Sequence, residues 1–213
     1  MTELKDLTIE EFAKVTASDA PAPGGGSVAA AAGSLAAALA EMVANLTIGK
    51  EKYAGAEEEM KELAEKGRVI REKLIADIQR DSSSFNLYMA ALKMPKDTEE
   101  EKAARREAMQ NGLKEAAKVP LSVAETAAEI FPLSEAAAAR GNANAVTDGL
   151  VSAMMARTAV LSALLNVKIN LSSIKDEAFR TAMESQVRRL EETASEYERK
   201  ILKSSDLSAE MLK

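Results

Sequence analysis

The sequence predicts an all-α, single-domain antiparallel bundle of long helices around an Ala-rich central helix, and three observations carry that expectation. Alanine occurs 41 times in 213 residues while aromatics make up 3%. Alanine has the best helix propensity, whereas strands favour aromatic and β-branched side chains. Apolar residues recur at steps of three, four and seven over long stretches, and no segment alternates as a strand would. A 46% hydrophobic content at this length supports one sizeable core, and no repeat or low-complexity linker divides the chain.

Thr8 to Ala17 is a short amphipathic segment with Ile9, Phe12 and Ala13 on one side. The run from Ser18 to Ser27, with two prolines and three glycines, breaks it, and Ser27 is suited to cap a second helix from about Val28 to Gly49. From about Ala56 to Leu92 the stripe Met60, Leu63, Gly67, Ile70, Leu74, Ile78, Phe85, Tyr88 and Leu92 predicts a long third helix. Met94 to Thr98 ends it, and Thr98 with Glu101 forms a capping-box pattern for a fourth. Pro120 and Pro132 are expected to kink or divide that helix before Arg140-Gly141. Gly141-Asn142 opens a further helix to about Leu171. The last starts at Ser173 or Asp176 and repeats Phe179, Met183, Val187, Leu190, Ala194, Tyr197 and Ile201.

Composition removes several chemistries. With no histidine and no cysteine, the chain has no thiol nucleophile, no Ser–His–Asp relay, no zinc site of the usual type and no disulfide. A formal charge of −6 argues against nucleic-acid binding. The first residues lack the basic start and apolar core of a secretory signal, so the expected location is the cytoplasm. Val28 to Leu46 approaches the length of a membrane span, but it is mostly Ala and contains Glu41 and Asn45. The better expectation is a buried helix of a bundle with no membrane association. A helix apolar on almost every side needs partners around it, which points to a homodimer.

Polar residues interrupt the apolar faces at a few places. The stripe 74, 78, 81, 85, 88 carries Asp at position 81. A carboxylate where the core should be tends toward a raised pKa useful in proton transfer, and a structural Asp paired with Arg or Lys fits the spacing equally well. Asn144 and Asp148 share a face four residues apart and suit a polar ring edge, while Asn142 or Asn144 acting as a helix cap explains them too. Asn166 and Asn170 form a second such pair. Asp148 and Asn166 share an azimuth but lie roughly 27 Å apart along one helix, so either the ligand is long or the helix serves two places. Gly24, Gly25 and Gly26 expose backbone N–H groups to an anion or carbonyl, or act as a hinge. Asn45, Thr47, Lys50 and Tyr53 cluster at the far end of the second helix, where Lys50 suits either an anionic ligand or the helix dipole.

Taken together, PAPGGGSVAAAAGSLAAALAEMVANLTIGKEKY (21–53), the Asp81-x-x-x-Phe85 segment leading to ALKMP, KVPLSVAETA from Lys118, and GNANAVTDG followed by LLNVKINL (141–171) resemble the cyclodeaminase/cyclohydrolase family of folate one-carbon metabolism. The resemblance covers nearly the whole chain in order. It implies an all-helical homodimer acting on a tetrahydrofolate derivative, and nothing in the sequence calls for a tightly bound cofactor or a metal. It also implies either a methenyltetrahydrofolate cyclohydrolase, which the insert MPKDTEEEKAARR favours, or a formimidoyltetrahydrofolate cyclodeaminase; a non-catalytic scaffold is a further alternative. On that basis Asp81 and Asp148 are candidate catalytic groups, one taking a proton and the other stabilising the substrate cation. Gly24, Gly25, Gly26, Ser27, Asn45, Thr47, Asn142, Asn144, Asn166 and Asn170 are candidates for substrate binding. Lys50 and Lys168 are candidates for the folate glutamate tail, with or without polyglutamate.

Overall fold

The computed structural model describes residues 2–212 and contains only helices and turns among them. The helices are α1 (Ile9–Thr16), α2 (Gly25–Asn45), α3 (Glu57–Leu92), α4 (Glu99–Ala128), α5 (Ile130–Arg140), α6 (Val146–Leu171) and α7 (Glu177–Lys203). Thr8 and Thr98 each form a full capping box with the Glu three residues later, and Asp176 caps α7 by accepting from the Phe179 amide. Each of these starts follows from a short oxygen-bearing side chain meeting an orphan N–H of the first turn.

Helix α2 occupies the centre, with α3 and α6 antiparallel to it. Gly26 meets Asp81 of α3 and Gly33 meets Leu74, while Gly25 meets Asn166 of α6 and the Ala36 carbonyl accepts from Ser152. Eleven residues of α2 are buried, mostly Ala, Gly and Ser. Small side chains let four helices converge. At Gly33 an added Cβ would sit 3.0 Å from Leu74, 3.3 Å from Ala159 and 3.6 Å from Ala127. Larger side chains fill the periphery of this core, with Phe131, Met60, Leu74, Ile130 and Leu164 fully buried. The stripe expected on α7 is buried at Met183, Val187, Leu190, Ala194 and Ile201.

Three expected boundaries move. Helix α2 begins at Gly25 with Gly24 as its cap, so Ser27 is an interior helical residue and not the cap. It stops at Asn45 rather than Gly49, whose φ of +75° belongs to the left-handed region that glycine tolerates. Asn142 does not open α6 directly: Ala143–Ala145 form a 3-10 turn and α6 starts at Val146.

Of the two prolines, Pro120 departs from expectation. Helix α4 runs through Pro120 unbroken. Proline cannot donate to the carbonyl four residues earlier, and that carbonyl, Ala116 O, accepts instead from Asn170 Nδ2 of α6 at 2.8 Å. A side chain from another helix thus replaces the missing backbone donor. The division falls at Glu129, and Pro132 sits in the first turn of α5, where a backbone donor is not needed.

Close backbone approach between α3 and α4 makes one prediction. A Cβ on Gly112 would lie 2.9 Å from the Tyr88 Cα, and backbone cannot rotate away as a side-chain tip does. Gly112→Ala is expected to lower stability by about 1–3 kcal/mol by overpacking, measured by urea denaturation; unchanged stability would show that the two helices separate freely.

Candidate active site

Asp81 lies where α3 passes beneath the first turn of α2. Gly26 faces it with no side chain: a Cβ there would come within 2.1 Å of Asp81 Oδ1 and 2.6 Å of Oδ2. The glycine is needed because the carboxylate occupies the space a side chain would take. Ser27 Oγ is 3.0 Å from Asp81 Oδ2 and 2.9 Å from the Ile78 carbonyl. One hydroxyl hydrogen is shared between these two acceptors. Burial pushes the Asp81 carboxyl above its ordinary value of 3.8; the Ser27 hydroxyl and amide oppose that, and the Asp77 charge one turn earlier adds to it. Asp77 is itself 2% exposed, with Oδ1 3.1 Å from Arg80 and Oδ2 without a partner among the described residues.

Above Asp81 opens a cavity of about 250 Å³. Gly24, Gly25 and Gly26 form one wall, Asn166 and Asn170 of α6 a second, and Phe85 and Ile169 supply apolar surface. Asn166 Nδ2 donates to the Ser162 carbonyl, and Asn170 Nδ2 to the Asn166 and Ala116 carbonyls. Both amide hydrogens of Asn170 and one of the two of Asn166 are held by the backbone, and the amide oxygens remain as acceptors for a ligand N–H. Asp81 is the one ionisable side chain of the lining, and no Lys or Arg belongs to it. Larger grooves lie between α3 and α5, but their charged residues are exposed ion pairs such as Arg140–Glu59. They hold no buried acid or base.

The structure therefore joins part of the predicted set: Gly24, Gly25, Gly26, Ser27, Asp81, Asn166 and Asn170. Ser27 belongs to it as a partner of Asp81, not as a cap. The remaining candidates gather at the opposite end of α2 and α6. Thr47 is buried, donating to the Val43 carbonyl at 2.6 Å and accepting from the Asn142 amide at 2.8 Å. Asn142 donates to the Leu46 carbonyl and caps its own turn by accepting from Asn144 N. These two tie the α5–α6 connection to the end of α2. Around them lie exposed Asn45, Asn144 and Lys50 and half-buried Asp148. Tyr53 accepts from the Ala143 amide at 3.0 Å, which, with Lys52 and Lys50 nearby, holds its hydroxyl below the usual tyrosine range.

Two of the candidates stand apart from the Asp81 cavity. Asp81 and Asp148 do not meet within one chain, because α2 and α6 are antiparallel and the carboxylates sit at opposite ends of the pair. Lys168 does not line the cavity; it faces α7 and pairs with Glu191. Phe85 and Ile169 as cavity walls, and Ala116 as the anchor of Asn170, were missing from the sequence-derived site. The signal for the anchor is the Ala116/Pro120 spacing, which frees a carbonyl at a known height.

That anchor carries a prediction. Asn170→Ala leaves the Ala116 carbonyl without a donor, and the expected loss is about 1–3 kcal/mol of stability together with weaker ligand binding. Thermal denaturation and substrate titration check the two effects separately.

Comparison with known proteins places this geometry. A family profile described as formiminotransferase-cyclodeaminase matches residues 8–189. The chain belongs to the formiminotransferase-cyclodeaminase family. Among members of this family, the methenyltetrahydrofolate cyclohydrolase of Methylorubrum extorquens is 43% identical over 172 residues, 81% of this chain and 83% of that protein. The formimidoyltransferase-cyclodeaminase of Sus scrofa is 36% identical over 84% of this chain, which spans only 33% of that longer protein. The crystal structure of formiminotetrahydrofolate cyclodeaminase from Thermotoga maritima superposes with a TM-score of 0.86 at 32% identity, covering 99% of this chain and 100% of that one. The Asp81 cavity and the Asp148 cluster both fall inside the stretch matched to the formiminotransferase-cyclodeaminase family. Among the described residues, no group of three or more His, Cys, Asp or Glu is placed to hold a metal ion.

Proposed function

We propose that this protein is a methenyltetrahydrofolate cyclohydrolase, opening 5,10-methenyltetrahydrofolate to 10-formyltetrahydrofolate with Asp81 as the base. The observation that carries the reading is a buried carboxylate with no cationic side chain in its cavity. A methenyl bridge between two nitrogens is a cationic amidinium, and such a substrate brings the missing counter-charge with it. Its positive charge favours the ionised form of Asp81 once bound.

The steps follow from charge balance. Water attacks the bridging carbon and gives one proton to Asp81, leaving a neutral carbon that bears a hydroxyl. As Asp81 takes that proton, Ser27 turns its own hydrogen to the Ile78 carbonyl and accepts from the new carboxylic acid. The hydroxyl then loses its proton as the bond from carbon to N5 breaks and N5 is protonated, so each turnover releases one proton. The Asn166 and Asn170 oxygens accept from pterin N–H groups, and Phe85 and Ile169 cover the ring.

Ser27→Ala is expected to lower kcat about tenfold with little change in KM, because it removes a partner used most as the proton moves; an equal rise in KM would place Ser27 in binding instead. The whole reading is tested by following loss of the near-ultraviolet absorption of methenyltetrahydrofolate against the buffer rate, and ammonia release from 5-formiminotetrahydrofolate. Hydrolysis without ammonia release supports the cyclohydrolase. Ammonia release supports the second reading, a cyclodeaminase, which the full-length likeness to the Thermotoga maritima structure favours. Neither reaction would overturn both.

A further inference from the structure

Asp77 is a buried acid that the proposed reaction leaves unused. It sits one helical turn before Asp81 on α3, about 6 Å away along the axis, with Leu74 and Ile78 buried beside it in the same helix. Only one of its oxygens is met. Oδ1 lies 3.1 Å from Arg80 Nη1, and Oδ2 has no partner among the described residues. A structural ion pair does not require this placement. Arg80 is exposed, and a pair that reaches into solvent contributes little, while a buried carboxylate oxygen without a donor costs stability. An apolar side chain would continue the buried line of α3 without that cost. What Asp77 supplies, and an apolar residue does not, is a negative charge behind Asp81.

The other charged groups around this turn are engaged elsewhere or exposed. On α3, Lys73 donates to Thr126 of α4 at 2.6 Å. On α4, exposed Lys118 pairs with Glu115, and Glu125 is exposed. The 3-10 turn Leu4–Asp6 reaches α3 through the Leu4 amide on Gln79; its Lys5 pairs with Glu3, and Asp6 is exposed. The first turns of α2 carry no ionisable group, and α6 brings Asn166 and Asn170 to the cavity. Among the described residues, Arg80 is the one cation within ion-pair distance of Asp77.

We propose that Asp77 is a positioning residue for the reaction: a second buried carboxylate that never touches the substrate and keeps Asp81 an effective base after the cation binds. The substrate cation weakens the base it depends on, because a positive charge beside a carboxylate favours the ionised form. A like charge behind Asp81 works the other way. The ligand does not displace it, since Asp77 forms no part of the cavity wall. Burial gives the charge its reach, because two charges interact several times more strongly through protein than through water. The proton of the attacking water still goes to Asp81, and Asp77 forms no bond in the step.

The proposal rests on the reading of Asp81 as the base, and two measurements separate the two failures. The first needs no substrate. In protein carrying ¹³C at the aspartate carboxyls, the Asp81 signal is assigned by its loss in Asp81→Asn and followed against pH. Asp77→Asn keeps the shape and removes the charge, and is expected to move the Asp81 titration to lower pH. Arg80→Gln removes the counter-charge from an exposed position and is expected to move it to higher pH. An Asp81 signal that titrates in Asp77→Asn as in the wild type overturns the proposal. If Asp77→Asn does not fold, an unmoved signal in Arg80→Gln overturns it instead.

The second measurement is turnover of methenyltetrahydrofolate. Asp77→Asn is expected to lower kcat about three- to tenfold, more than it raises KM, and to carry the acid limb of kcat/KM to lower pH. A merely structural role would lower the rate and leave the limb in place, and that result would also overturn the proposal. If the Asp81 titration moves as expected but the wild-type protein turns over neither folate, the folate reading fails and the coupling of the two carboxylates stands.

Discussion

Replacing Asp81 by Asn is expected to lower kcat/KM for methenyltetrahydrofolate by about 10²–10⁴-fold, the range supplied by a positioned base. The same change is expected to stabilise the fold at neutral pH. Burial raises the proton affinity of Asp81 in the folded state. Its contribution to stability is therefore fully present below the unfolded value and lost as pH rises through the folded one. Asn carries no charge and avoids that loss. The variant should melt higher than the wild type at pH 7, and the gap should close as the pH falls past the ordinary aspartate value. Lost activity with raised stability is the signature of a group kept for chemistry. A fall in both would make Asp81 a structural residue.

Gly26→Ala is expected to have a similarly large effect on turnover by a different route. The methyl group would enter space held by the Asp81 carboxylate, as close as 2.1 Å to Oδ1. Asp81 is short and hemmed in by Ser27 and α2, so it has to leave its hydrogen bond and turn out of the cavity. A displacement of about 1 Å at a catalytic group can cost 10²-fold in rate. Helix propensity works the other way, since Ala is favoured over Gly by about 1 kcal/mol, so the loss of stability should be small beside the loss of rate. Kinetics and chemical denaturation on the same preparation check this. Wild-type turnover in Gly26→Ala would mean that the carboxylate acts from another position.

The helices were legible because their cores repeat at helical spacing. Met60, Leu63, Gly67, Ile70, Leu74 and Ile78 of α3 are all buried, as the stripe requires. Asp81 stood out for the same reason, as a charge on an apolar line. Local spacing failed where the deciding partner came from elsewhere in the chain. Pro120 leaves α4 intact because Asn170, fifty residues later, supplies the missing donor. Local pattern offers Gly26 either as a source of backbone N–H groups or as a hinge for close packing, and only the fold shows that it leaves room for a side chain of α3. Azimuth placed Asp148 and Asn166 on one face of α6 and rise separated them, but the antiparallel run of α2 was needed to show that two groups of site residues stand at opposite ends of the same pair of helices.

The pH dependence of kcat/KM for hydrolysis of methenyltetrahydrofolate by the wild-type protein tests the central claim most directly. With Asp81 as the base in a chain without histidine, activity should fall on the acid side with a midpoint above the ordinary aspartate value of 3.8, in the direction burial imposes. A profile that stays flat through that range while the protein remains folded would contradict the account.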